Sequence, residues 1–186
     1  MSLPASETTR LSARSTELLG QLSLRQQGDE RIIQPVAVIG PGDASDVECA
    51  LAYAVAAGLA GAGITIVCGG RGGVMQAASR GAFEAKGIVI GLLPEEDTRC
   101  ANPFLTIALP TGMGEMRNAL IARSAVCLVS IGCNLGTISE MALGLKWGKA
   151  VFSLLNNVRL EGETVAPDFD HLMQSVASEL LAYRQA

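Results

Sequence analysis

The chain has 186 residues, 49% hydrophobic and 17% charged, with a formal net charge of −4. That length suits one sizeable core, and so little charge implies extensive burial, within the fold or in an oligomer. Three Lys (Lys86, Lys146, Lys149) and eleven scattered Arg form no basic stripe, which argues against a nucleic-acid partner.

Residues 1–34 are polar with scattered Arg and Glu and read as a peripheral arm, in which "STELLGQLSL" suits one short amphipathic helix. Met1, Ser2 and Leu3 read as a cloning remnant. No signal peptide is expected, because Met1 to Gly40 carries charges throughout and no unbroken apolar segment.

Residues 35–186 read as a single domain. Strand-like runs are "VAVIG" (36–40), "ITIVC" (64–68), "IVIGLL" (88–93), "LTIAL" (105–109), "AVCLVSI" (125–131) and "AVFSLL" (150–155). Helix-like stretches lie at about 46–61, 73–86, 113–124, 137–147 and 168–183. Only "EEDTRCANPF", between the third and fourth runs, reads as a loop. Apolar strands without in/out alternation mark a parallel sheet covered on both faces, and strand–helix alternation predicts a doubly wound α/β fold. The expected fold class is therefore α/β, Rossmann-like, with a mostly parallel sheet of about six or seven strands and helices on both faces.

The uncharged span from Cys49 to Gly70 approaches the length of a membrane helix. The "GAG" at 61–63 splits it into an Ala-rich helix and a β-branched strand, so no membrane partner is expected. The five Cys lack CxxC spacing and mostly sit in apolar runs, behaving as small hydrophobes in a reducing cytoplasm. The one His, His171, reads as structural, which leaves no His-based metal site and no Ser/His triad. No metal ligands are assigned.

In open α/β sheets ligands bind off the carboxyl ends of the strands. Four of those ends carry at least two Gly: Gly40 and Gly42; Gly69, Gly70, Gly72 and Gly73, with Arg71 among them; Gly112 and Gly114; Gly132 and Gly136, with Asn134 and Thr137. Bare backbone at a helix start can hold phosphate through N–H groups and the positive dipole end. One such turn is only good turn chemistry, whereas four on one edge favour a shared anionic ligand. Neither GxGxxG nor GxxxxGK[ST] occurs, which disfavours a standard dinucleotide site and a P-loop.

Arg117 and Glu140 should converge at this edge. The planar guanidinium suits phosphate. The carboxylate suits ribose hydroxyls or an oxocarbenium-like transition state. Two plainer readings stand beside these. "TISE" forms a capping box in which Thr137 and Glu140 bond each other's amides. Arg117 has Glu115 and Glu140 as ordinary ion-pair partners. "SDVE" at 45–48 is a second capping box with no chemistry attached.

"GGRGGVMQAASRGAFEAKGIVIGLLP" and "TGMGEMRNALIARSAVCLVSIGCNLGTISEMALGLKWGKAVF" resemble the molybdenum-cofactor carrier protein group. That group lies in a Rossmann-like superfamily often labelled lysine decarboxylase-like, which also holds the Lonely-guy phosphoribohydrolases. The resemblance runs from about 36 to 155. It implies phosphate-binding glycine turns and assembly into dimers or tetramers. In the hydrolase branch the signature is PGGxGTxxE with an upstream Arg. Aligned on Gly136 and Thr137, its catalytic pair falls on Glu140 and Arg117. The chain departs where the signature has Pro-Gly-Gly, carrying Gly132, Cys133 and Asn134 instead. Side chains there replace backbone that hydrolases keep bare against phosphate. A decarboxylase finds no support, since the three Lys sit at predicted helix ends, where dipole complementarity explains them.

Two functions follow. The first is a cytoplasmic, homo-oligomeric binding protein for a small phosphate-bearing ligand: molybdenum cofactor, pterin phosphate or nucleoside monophosphate. The second is a nucleoside 5′-monophosphate phosphoribohydrolase in which Arg117 and Glu140 are catalytic, with no catalytic cofactor.

Overall fold

A computed structural model describes residues 9–184; the expected cloning remnant lies outside the described residues. Seven strands form one all-parallel sheet in the order β4-β3-β2-β1-β5-β6-β7. They are β1 (Val36–Ile39), β2 (Ile66–Cys68), β3 (Val89–Leu93), β4 (Ile107–Pro110), β5 (Leu128–Ile131), β6 (Val151–Leu154) and β7 (Thr164–Val165). The helices are α1 (Ala13–Gln26), α2 (Asp46–Gly61), α3 (Val74–Glu84), α4 (Asn118–Ser124), α5 (Leu135–Lys146) and α6 (Phe169–Ala182). A 3-10 turn, Gly114–Arg117, precedes α4.

Both faces of the sheet are covered, and β1 shows how. Val36 and Val38 point into a cluster with residues of α1, α2, α3 and α6, such as Leu22, Leu51, Val74 and Leu172. Ala37 and Ile39 point into a second cluster with Ile121 of α4 and Met141 of α5. Alternate side chains of one apolar strand thus serve two cores, which explains the absence of polar alternation in the sequence.

The predicted elements sit where hydrophobic pattern placed them, and three details differ. β7 is a two-residue edge strand that the pattern did not announce. β4 lacks a covering crossover helix, so Ile107 and Leu109 stay 43% and 45% exposed. The third concerns the helix of Glu140. It starts at Leu135, not Thr137, and its cap is Asn134, whose side chain accepts from Thr137 N–H. The "TISE" capping box is therefore not formed. The "SDVE" box is, with Ser45 and Glu48 bonded reciprocally at the start of α2.

α1 packs against α6 as a parallel pair, tied start to start and end to end. Asp170 accepts the Ser12 N–H at 2.8 Å beside the start of α1. Arg25 donates to the carbonyls of Leu180 and Tyr183 at 2.7 Å each, filling the otherwise unpaired end of α6. Leu18 and Leu22 of α1 are buried. His171 stands exposed in the first turn of α6, with its ring Nδ1 2.8 Å from Asp168. Among the described residues no helix is long and apolar enough to cross a membrane. Cys68 and Cys127 are fully buried and burial raises both thiols, Cys127 to about 12.

Candidate functional site

β1 lies between β2 and β5, so successive crossovers diverge from it, and a crevice opens off the carboxyl ends of these strands. The crevice is a cavity of about 690 Å³. Its wall includes Gly40 and Gly42 after β1, Gly69, Arg71 and Gly72 after β2, and Gly114 and Arg117 before α4. Asn134, Gly136, Thr137 and Glu140 complete it from α5. The glycine turns that sequence placed on one edge therefore do meet around one space.

Four of the expected residues stand outside that wall: Gly70, Gly73, Gly112 and Gly132. All four have positive φ, and backbone geometry accounts for them as Gly. At Gly132 a Cβ would come within 1.9 Å of Glu48 Oε1, the carboxylate of the α2 capping box. At Gly73 it would come within 2.4 Å of the carbonyls of Pro41 and Gly42.

Arg117 and Glu140 converge as expected. Arg117 Nη1 lies 3.5 Å from Glu140 Oε1, and the residues are 7% and 6% exposed. Arg117 also donates to Asn118 Oδ1, and its Nη2 reaches Gly69 O at 3.4 Å. Its Nε is buried without a partner among the described residues. Asn118 in turn donates to Ser139 Oγ at 3.1 Å and Gly136 O at 3.4 Å, so it couples the arginine to the first turns of α5.

Burial works against both charges. It raises Glu140 to about 8, with the nearby Arg117 opposing the rise. It lowers Arg117, with Glu140 and Cys68 opposing. A guanidinium keeps its proton under any such shift, so the carboxyl is the group that gives way. Near neutrality the pair is therefore an arginine cation beside a carboxyl whose protonated form burial favours. A group so tuned can accept or donate a proton to a bound molecule.

The cavity wall also contains residues that the sequence does not single out, including Asp43, Met75, Glu95 and Asn118. Glu95 pairs with Arg71 at 2.8 Å, and its second oxygen is buried without a partner among the described residues. The signal for Glu95 was present, since it follows β3 directly in "LLPEE". It went unread because that strand end carries no glycine turn.

Residues 34–179 match the SLOG cluster4 family. The chain belongs to that family. The SLOG cluster4 protein is 40% identical over 133 residues to an uncharacterized protein of Archaeoglobus fulgidus, covering 72% of this chain and 87% of that one. Its fold superposes on the molybdenum cofactor binding protein of Rippkaea orientalis with a TM-score of 0.74 at 32% identity, over 79% of this chain and 98% of that one. The Moco carrier protein of Chlamydomonas reinhardtii gives 0.74 and 32%, over 81% and 99%. The resemblance to the molybdenum-cofactor carriers is thus supported along nearly the whole length of the solved relatives.

Proposed function

We propose that this SLOG cluster4 chain binds a small phosphate-bearing ligand in the 690 Å³ cavity and holds it without cleaving it. Molybdenum cofactor or a related pterin phosphate is the first candidate, as the similarity to solved molybdenum-cofactor proteins suggests, and a nucleoside 5′-monophosphate the second. One observation carries the choice of holding over cleaving. Asn134 Oδ1 accepts both the N–H of Thr137, at 2.9 Å, and its hydroxyl, at 3.1 Å. Asn134 stands where the hydrolase signature keeps bare backbone for phosphate, and its side chain occupies both donors of the Thr137 that follows.

The residues fit such a ligand. Arg117 has a buried, unpartnered Nε, and Arg71 stands half exposed beside it. Both suit a phosphate. The carboxyls of Glu95 and Glu140 are acceptors for the N–H and O–H groups of a pterin or sugar. Molybdenum cofactor, when bound, supplies the redox chemistry of its metal, and the part of this chain is to hold the organic portion and its phosphate.

The hydrolase reading keeps one supporting observation, the buried Arg117–Glu140 pair with Glu140 tuned to about 8. Purified protein incubated with AMP and other nucleoside monophosphates decides between the two. Holding predicts no release of free base and a rise in melting temperature with ligand. A ligand at 100 times its Kd stabilises by about 2.7 kcal/mol. Release of base by the wild type, lost in Glu140→Ala, overturns it.

The same reading includes a cytoplasmic location, which suits the buried free thiols, and self-association into a dimer or tetramer. The exposed apolar residues of the uncovered strand β4 support the latter. Light scattering on the eluted protein measures it, and a monomer at all concentrations removes that part.

A further inference from the structure

We infer that the ligand's anionic group seats on the β2–α3 side of the cavity, against Gly42, Gly72 and the first turn of α3, and not on the β5–α5 turn. The inference rests on the binding reading above, and it assigns the ligand an orientation.

The two helix starts differ in what they leave free. At α5 the Asn134 side chain already holds the amide and hydroxyl of Thr137. At α3 the cap is Gly73, which makes no side-chain hydrogen bond. The Val74 N–H goes to Pro41 O, while the N–H groups of Met75 and Gln76 find no acceptor among the described residues. Free amides at the start of an 11-residue helix, together with its positive dipole end, attract an anion.

The buried cation lies on the same side. A Cβ at Gly69 would stand 2.5 Å from Arg117 Nη2 and 2.6 Å from Met75 Sδ. The guanidinium therefore rests directly on the β2–α3 turn and next to the first turn of α3. Arg117 is 7% exposed and its Nε has no partner among the described residues, so the turn is lined by a buried cation with an unused donor.

The glycines give a third, independent indication. Gly40, Gly69 and Gly73 are required by packing, since a Cβ at each would meet another atom within 2.6 Å. Gly42 and Gly72 are not. Both have ordinary φ, and a Cβ would meet nothing nearer than Met75 Cε at 3.7 Å and Gly42 O at 3.8 Å respectively. Nothing among the described residues asks for bare backbone at these two adjoining positions on the cavity wall, and the close approach of a ligand does.

Arg71 is held by Glu95 at 2.8 Å and Asp43 follows Gly42, so the seat depends on main-chain donors and Arg117, not on a surplus of positive charge. The opposite end, with Asn134, Thr137 and Glu140, then faces the uncharged hydrogen-bonding body of the ligand. The ligand class is a phosphomonoester whose polar ring or sugar points toward α5.

Calorimetric titration of inorganic phosphate, and then AMP and a pterin phosphate, into wild type and variants tests the seat. Gly72→Asp places a carboxylate there without a clash and is expected to weaken binding roughly tenfold or more. Gly42→Asp is the second variant if the first melts early, and Gly61→Asp, where a Cβ has open space at the far end of α2, is the control. Unchanged binding in both seat variants overturns the inference. So does a gain of about tenfold in Asn134→Gly, which would place the anion on α5. Failure of the wild type to bind any of these probes overturns the binding reading itself, a result distinct from binding that ignores Gly72.

Discussion

Glu140 Oε1 stands 3.5 Å from Arg117 Nη1, both side chains buried, with Asn118 linking the arginine to the helix that carries the glutamate. The carboxyl is nonetheless raised, because the desolvation of a buried charge outweighs one cation at that separation. This relationship makes the site sensitive to pH.

Glu140 titrates near 4.5 when unfolded and near 8 when folded. Between those values the folded chain holds a proton that the unfolded chain has lost, so stability from this group is full at low pH and falls as pH rises. The slope approaches about 1.4 kcal/mol per pH unit. Urea denaturation from pH 5 to 8.5 should therefore show Glu140→Gln gaining on wild type as pH increases. Parallel curves for the two proteins would show that Glu140 titrates normally.

Removal of the arginine acts on its partner and on the ligand together. Arg117→Met takes away the one attraction opposing the rise of Glu140, so the carboxyl should titrate above about 8. Ligand affinity should fall by roughly tenfold or more, as expected for a lost charge-assisted contact. NMR titration of the Glu140 carboxyl carbon and calorimetry measure the two effects. Unaltered affinity would mean that Arg117 does not touch the ligand.

Two adjacent glycines should respond very differently to the same change. Gly73→Ala forces a Cβ against two backbone carbonyls at positive φ and should cost about 2–4 kcal/mol. Gly72→Ala meets nothing within 3.7 Å and should stay within about 0.5 kcal/mol. Chemical denaturation of both variants provides the comparison.

Asn134→Ala removes a cap and should destabilise by about 1 kcal/mol, whereas Asn134→Gly should lose only a few tenths. Thr137→Ala should cost less than Asn134→Ala, because Thr137 lies inside the helix and is not its cap. The reverse order in denaturation midpoints would restore the Thr137 capping box.

At the other side of the fold, Arg25→Ala strips the carbonyls of Leu180 and Tyr183 of their donor. The loss should be about 1–3 kcal/mol, since these are charge-assisted bonds at a helix end. Hydrogen exchange should show the last turn of α6 opening first.

Much of this architecture was legible in the residues themselves. Apolar runs such as Val36–Ile39 and Leu128–Ile131 have no solvent face, and a strand buried on both sides needs no tertiary information to announce itself. The helix of 46–61 was bounded by a Ser/Glu box and a glycine, both local signals. Thr164–Val165 was not legible, because two residues carry no period and their strand exists only by pairing with β6. The cap of α5 was misread for a related reason. Asn134 and Thr137 are both good caps, and which one serves depends on the angle at which the chain leaves β5.

By itself, the sequence determined the alternation of elements, the edge on which the glycine turns fall, and the approach of Arg117 to Glu140. Those follow from hydrophobic period and chain order, which are properties of neighbours along the chain. The tertiary structure alone decided that Glu95 and Asn118 join the site, that Gly73 and Gly132 serve packing while Gly42 and Gly72 face the cavity, and that Asn134 occupies the donors of Thr137. Those are matters of distances between segments far apart in sequence, and burial, which raises Glu140, is a property of the assembled fold.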